Sequence, residues 1–189
     1  MDIIEFFEQS AGKWFSQRTL HNLTSGQLQA GKSELKIEIL PPSDPAAIEL
    51  CSEHAIAPTS AALTGVRITW NGSADNNQKD GSTVIVFVPN SDNPKTGKLL
   101  QSRSGGVPKN RLGKLPAGIA GSYTISDDDV LTLITQTEEF DAEERLWYLM
   151  PNLRVRTSVV KRSSGMTIAS FCSEIRMGVT KPAAQTAIA

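Results

Sequence analysis

Most of the chain alternates apolar and polar residues with a period of two. "SELKIEIL", residues 33–40, sets Leu35, Ile37 and Ile39 against Lys36 and Glu38, a half-buried strand stopped by Pro41-Pro42. After residue 60 the same rhythm returns in "ALTGVRITW", "STVIVFVPN", "KLLQSRS", "IAGSYTIS", "VLTLITQTEEF", "EERLWYLM", "NLRVRTSVVKR" and "MTIASFCSEIRM". The breaks between them are turn-forming: Asn71-Gly72, the Gly/Pro-rich 105–118, Asp127-Asp128-Asp129, Pro151-Asn152 and Ser163-Ser164-Gly165. Two segments follow a helical rhythm instead. "MDIIEFFEQS" gathers Ile3, Ile4, Phe6 and Phe7 on one side, and its expected role is to plug an apolar opening. "SDPAAIELCSEHA" has Asp44 as N-cap and Pro45 in the first turn, with Ile48, Cys51 and Ala55 on one stripe.

Nine or ten strands of about eight residues, joined by short turns and with no helical crossovers, predict an antiparallel all-β sandwich or barrel. Closure into a barrel removes both unpaired edges. With eight or more strands the interior has room for one small ligand. Residues 1–177 form the expected single domain and 178–189 a loose tail.

Composition narrows the chemistry. A net charge of −1 with both signs mixed gives no support for a nucleic-acid partner or an anionic membrane surface. No signal-peptide pattern opens the chain and no apolar run is long enough to span a bilayer, which predicts a cytoplasmic protein. Cys51 and Cys172 lie far apart, with no CxxC and no metal-ligand spacing, and are expected as reduced thiols, one of them at a buried strand position. His21 and His54 are too few and too scattered for a metal site. The triple aspartate suits a hairpin turn better than a calcium loop. No GxSxG, HExxH, P-loop or GxGxxG motif is present.

What remains is a set of arginines, acids and tryptophans on strands: Arg18, Arg67, Trp70, Glu144, Trp147, Arg154 and Arg156. Mixed faces of this kind meet solvent or line a polar ligand site. Arginine forks bind carboxylates through paired hydrogen bonds, and large aromatics stack on flat conjugated molecules. Such a site suits a planar, apolar molecule that carries carboxylates. The strand "KWFSQRTL" is the clearest puzzle, because Trp14 and Arg18 share one face.

"GKW" at 12–14, after a short helix and opening the first strand, resembles the Gly-x-Trp signature of lipocalins, in which a late arginine often packs on the Trp; Arg176 is the candidate here. More specifically, "EFFEQSAGKWFSQRTLHNL", "GVRITWNG", "EERLWYLMPNLRVRTSVV" and "FCSEIRM" resemble the S-type phycobiliprotein lyases, the CpcS/CpeS-like bilin lyases of cyanobacteria and some algal plastids. The resemblance implies a lipocalin-like, ten-stranded up-and-down barrel that binds a linear tetrapyrrole. It implies a lyase that joins phycocyanobilin or phycoerythrobilin by a thioether bond to a cysteine of an apo-phycobiliprotein subunit of phycocyanin, allophycocyanin or phycoerythrin type, the pigment proteins of the phycobilisome. The bilin is substrate, no cofactor or metal is implied, and homodimers or heterodimers with a paralogue occur in the family. The location implied is cytoplasmic, or plastid stroma in an alga.

By the same resemblance Glu144 and Arg154 are the catalytic pair. Glu144 hydrogen-bonds the pyrrole N–H groups and relays a proton, while Arg154 binds a propionate or fixes Glu144. Arg18, Trp70, Trp147 and Arg156 are the further ligand-binding candidates. Glu143 and Arg156 stand as alternatives to Glu144 and Arg154, since the Pro151-Asn152 break can shift the face by one residue. A passive carrier of a bilin or other apolar ligand is the competing reading.

Overall fold

A computed structural model describes residues 1–57, 64–72, 80–102 and 118–178. Ten antiparallel strands form a closed barrel: β1 (Gly12–Asn22), β2 (Gln27–Leu40), β3 (Thr64–Gly72), β4 (Gly81–Pro89), β5 (Thr96–Gln101), β6 (Ile119–Ile125), β7 (Leu131–Gln136), β8 (Phe140–Met150), β9 (Leu153–Arg162) and β10 (Thr167–Arg176). Each strand pairs with its sequence neighbour, and β1 pairs with β10 to close the ring. The expected hairpin at Asp127–Asp129 joins β6 to β7, with Ser126 N–H on the Val130 carbonyl and Asp129 at φ 58°.

Helix α1 (Ile3–Ser10) starts in a capping box, Asp2 accepting from Glu5 N–H and Glu5 from Asp2 N–H. Its Ile3, Phe6 and Phe7 are buried, Phe7 stacking on Phe87 at 4.7 Å and Phe6 meeting Tyr148 at 5.4 Å. They join Trp14, Leu35, Ile37, Val66, Ile85, Leu99, Tyr123, Leu131 and Leu146 in one apolar cluster that fills the lower half of the barrel. The helix is therefore the plug expected from its sequence, except that Ile4, expected on the buried side, faces solvent.

Helix α2 (Pro45–Glu53) is capped by Asp44, which also accepts from Arg67 at 3.2 Å, so Arg67 serves the outer surface. The buried residues of α2 are Ala47, Leu50 and Cys51; Ile48 is half-buried and Ala55 exposed, which corrects the expected stripe. They cover Leu40, Val84, Val86 and Leu100 on the outside of the wall. This second core explains why "STVIVFVP" loses its alternation: β4 is buried on both faces. It also explains Ile39, expected beside Leu35 and Ile37 but exposed at the end of β2, while its neighbour Leu40 is buried beneath α2.

Asn71 and Gly72, expected as a turn, belong to β3 and pair with Glu34 and Ser33. The pairing continues because β2 is 14 residues long and begins at Gln27, well before the segment whose alternation marks it. The Gly/Pro-rich segment, apart from Gly118, and the tail from residue 179 lie outside the described residues. Among the described residues, no helix is long and apolar enough to cross a membrane.

Candidate functional site

Above the apolar half, the barrel encloses a cavity of about 360 Å³. Its polar lining comes from seven strands: Ser16 and Arg18 of β1, Ser33 of β2, Thr83 of β4, Gln101 of β5, Glu144 of β8, Arg154 and Arg156 of β9, and Glu174 of β10. Trp70, Ile68, Leu35, Ile85, Leu133 and Leu146 supply apolar wall, with Phe7 reaching in from the plug. The parity explains the grouping. Residues two apart on a strand share a face, so Trp14, Ser16 and Arg18 climb one strand from floor to cavity.

At the floor, Trp14 has no exposed surface, and the guanidinium of Arg176 lies over its ring at 4.3 Å. The two residues are register partners across β1 and β10. The Trp14 indole donates to the Ser10 carbonyl at 2.8 Å, and Arg176 donates to the carbonyls of Ala11, at 2.6 Å, and Gln9. A cation on the last carbonyls of α1 also opposes the negative end of the helix dipole. The arginine over the tryptophan, implied by the lipocalin resemblance, is thus in place.

Two arginine–glutamate pairs occupy the next levels. Arg154 donates from Nε (2.7 Å) and Nη2 (2.5 Å) to Oε2 of Glu174, and from Nη1 to Ser10 Oγ (2.9 Å). Side-chain exposure is 3 % for Arg154 and 0 % for Glu174. Arg156 donates from Nη1 to Oε1 of Glu144 at 3.1 Å, and its Nε lies 3.4 Å from Oε1 of Glu174. Its Nη2 reaches the Cys172 sulfur at 3.7 Å.

Burial alone would raise the Glu174 pKa, but Arg154 and Arg156 more than offset it and hold the carboxyl below the ordinary range. Arg156 is shifted the other way, up, burial opposing and Glu144 and Glu174 prevailing. Burial pushes the Cys172 thiol up, against the pull of Arg156. Cys172 is buried on β10 and Cys51 in α2, and both are free thiols.

The placement of the sequence candidates can be read residue by residue. Glu144, Arg154, Arg156, Arg18 and Trp70 all line the cavity. Glu143 is exposed on the opposite face of β8, and both arginines of β9 face inward, so the bulge at Tyr148/Met150 leaves Glu144, Arg154 and Arg156 on one side. Trp147 is a correction. It alternates with Glu144 and Leu146, sits on the outer face opposite buried Val155, and does not line the cavity. Arg154 also meets Glu174 rather than Glu144, which is held by Arg156.

Glu174, Ser10 and Cys172 were not among the candidates. A signal for Glu174 existed: if Arg176 packs on Trp14 inside the barrel, the residue two before it shares that face.

The chain belongs to the CpeS-like protein family, whose model matches residues 2–177. It is 52% identical over 179 residues to "Chromophore lyase CpcS/CpeS 1" of Trichodesmium erythraeum, covering 93% of this chain and 98% of that protein. It is 38% identical over 194 residues to "Phycocyanobilin lyase subunit CpcS" of Picosynechococcus, covering 100% and 92%. Among solved structures it resembles the S-type phycobiliprotein lyase CPES from Guillardia theta, with 31% identity, a TM-score of 0.79 and 95% of each chain covered.

Proposed function

We propose that this protein is a chromophore lyase that binds a bilin in the barrel cavity and attaches it to a phycobiliprotein cysteine. The observation that carries the reading is the cavity itself, in a chain of this family: three arginines and two carboxylates in an apolar barrel, with Trp70 in the wall. A bilin needs cations for two propionates, an acceptor for its pyrrole N–H groups and a flat wall for its π-system. Arg18 and Arg156 are the propionate ligands, because both face the cavity and Arg154 is enclosed by Glu174 and Ser10. Glu144, a third exposed and held by Arg156, accepts from the pyrroles and donates a proton to the conjugated system.

Protonation makes the exocyclic ethylidene carbon of ring A more electrophilic. The acceptor cysteine thiolate bonds to that carbon, the π-electron pair shifts into the conjugated system, and the proton delivered by Glu144 stays on the pigment. The proton given up by the cysteine thiol restores Glu144, so the net change is addition of one thiol. No oxidant or reductant enters. The protein's contribution is orientation and exclusion of water from a reactive pigment. A passive carrier would use the same cavity but transfer nothing.

The deciding experiment mixes the protein with phycocyanobilin and then with an apo-phycobiliprotein subunit. A sharpened, red-shifted bilin band, followed by an acid-stable covalent product on the subunit, is expected. A bilin spectrum unchanged by the protein overturns the reading, and binding without transfer leaves the carrier.

A further inference from the structure

Ser10, the last residue of α1, has no exposed surface, and its hydroxyl is the meeting point of three elements. It donates to the Phe6 carbonyl at 2.8 Å, receives Arg154 Nη1 at 2.9 Å, and lies 2.7 Å from the Tyr148 hydroxyl. A hydroxyl has one proton and two lone pairs. With the proton on Phe6, Tyr148 is the donor and both lone pairs are used. The carbonyls on either side are tied down as well, Gln9 and Ala11 by Arg176 and Ser10 by the Trp14 indole. The hydroxyl therefore has a fixed place beneath the cavity.

A serine at this point of a helix commonly bonds back to the carbonyl four residues earlier, with no further role. Arg154 makes the difference. Its Nε and Nη2 converge on one oxygen of Glu174, so the contact with Ser10 fixes the third corner of the fork. The other oxygen of Glu174 faces Arg156 Nε, and Arg156 holds Glu144. We infer that Ser10 is a positioning residue: the plug helix, through this hydroxyl, sets the orientation of Arg154 and, through Glu174 and Arg156, the place of Glu144. The geometry stands by itself, while the consequence for catalysis rests on the bilin reading proposed above.

The charged groups against Glu174 are Arg154 and Arg156 from β9. Glu144 of β8 is reached through Arg156 and Tyr148 of β8 through Ser10, while Cys172 and Arg176 lie two residues to either side of Glu174 on its own strand. Arg18 of β1 is the register partner of Cys172. Ser10→Ala leaves this charge set intact and removes only the hydroxyl. Tyr148→Phe removes a hydrogen bond to the same hydroxyl but leaves its contact with Arg154.

The test titrates the glutamate side-chain carboxyls of the ligand-free full chain by ¹³C NMR in wild type and both variants. It then records phycocyanobilin binding and the transfer rate. Ser10→Ala is expected to move the Glu174 midpoint upward, because the loosened fork binds the carboxylate less well, and to lower transfer by about tenfold or more. Bilin affinity should change less than the rate. Tyr148→Phe should lower thermal stability comparably and leave the Glu174 midpoint in place.

An unchanged midpoint in Ser10→Ala, or equal shifts in the two variants, overturns the inference. If Ser10→Ala does not fold, Ser10→Cys, similar in size with a weak acceptor, must shift the midpoint in the same direction. A wild type that binds no bilin defeats the proposed function, while the carboxyl titration still decides the role of Ser10.

Discussion

Arg154 and Arg156 stand two residues apart on one face of β9, and each grips a glutamate. The lower pair, with Glu174, is sealed, and the upper pair, with Glu144, is about one-third exposed. Sealing turns an ion pair into a structural commitment, since each charge has lost its water and depends on its partner. The half-open pair keeps access to solvent and to a ligand, so it is worth little to stability and is available for exchange. The same two residue types thus serve as a foundation at one level and, in the proposed function, as ligand-binding groups at the next.

The largest expected effect is on the foundation. Arg154→Ala leaves Glu174 as a buried carboxylate with only the longer contact to Arg156, at a cost of about 3–5 kcal/mol. Thermal unfolding should show a midpoint lower by roughly 10 °C; a shift of only a degree or two breaks the comparison.

Glu174→Gln sharpens it through pH. The folded state holds Glu174 below its ordinary pKa. Its stabilisation is therefore complete above the unfolded carboxylate value and is lost as pH falls through the folded one. Denaturant midpoints measured across the acid range should fall less steeply in Glu174→Gln than in wild type. Parallel curves would show that this carboxyl is not the acid-sensitive group.

Arg156→Ala should reverse the balance seen with Arg154→Ala. Stability drops by about 1–2 kcal/mol, less than for Arg154→Ala because Glu174 keeps both bonds from Arg154, whereas bilin affinity falls by about tenfold, the worth of one charge-assisted hydrogen bond. An absorbance titration gives the affinity directly.

Gly81→Ala probes the wall opposite the arginines. A Cβ at residue 81 would lie 2.4 Å from Cζ2 of Trp70, so the indole must move. A several-fold loss of bilin affinity with an unchanged far-ultraviolet spectrum is the expected result; an unaltered affinity would remove Trp70 from the ligand. The smallest effect falls on Trp147, on the outer face. Trp147→Phe should leave bilin affinity within about twofold of wild type, and a large loss would put that residue back at the ligand.

The site was partly legible in the chain because a strand has a fixed period. Once Arg18 is placed on the face of Trp14, and Arg154 and Arg156 on one face of their strand, an arginine-lined interior follows. The same rule, applied to "EERLWYLM", sets Trp147 opposite Glu144, so its suitability as a stacking residue does not bring it to the cavity. For Glu174 the spacing to Arg176 marks the face but not the partners. A lone glutamate between Ser173 and Ile175 looks like a solvated strand residue, and only the neighbouring β9 reveals that two arginines surround it.

What the sequence alone determined was local: the strands and their facing rule, the capped helices, the turn at Asp127–Asp129, and the apolar character of the plug. Each depends on residues near one another in the chain, where propensity, capping and period-two alternation act directly. Tertiary structure decided what depends on neighbours far along the chain. α2 covers the outside of β4 and buries Leu40. β3 continues through Asn71-Gly72 because β2 is long enough to pair with it. Arg154 takes Glu174, twenty residues away on the next strand, and Ser10, 144 residues away at the end of α1. Which charge meets which, and how much water stays between them, is fixed by barrel closure, because that step brings the first strand and its plug helix against the last.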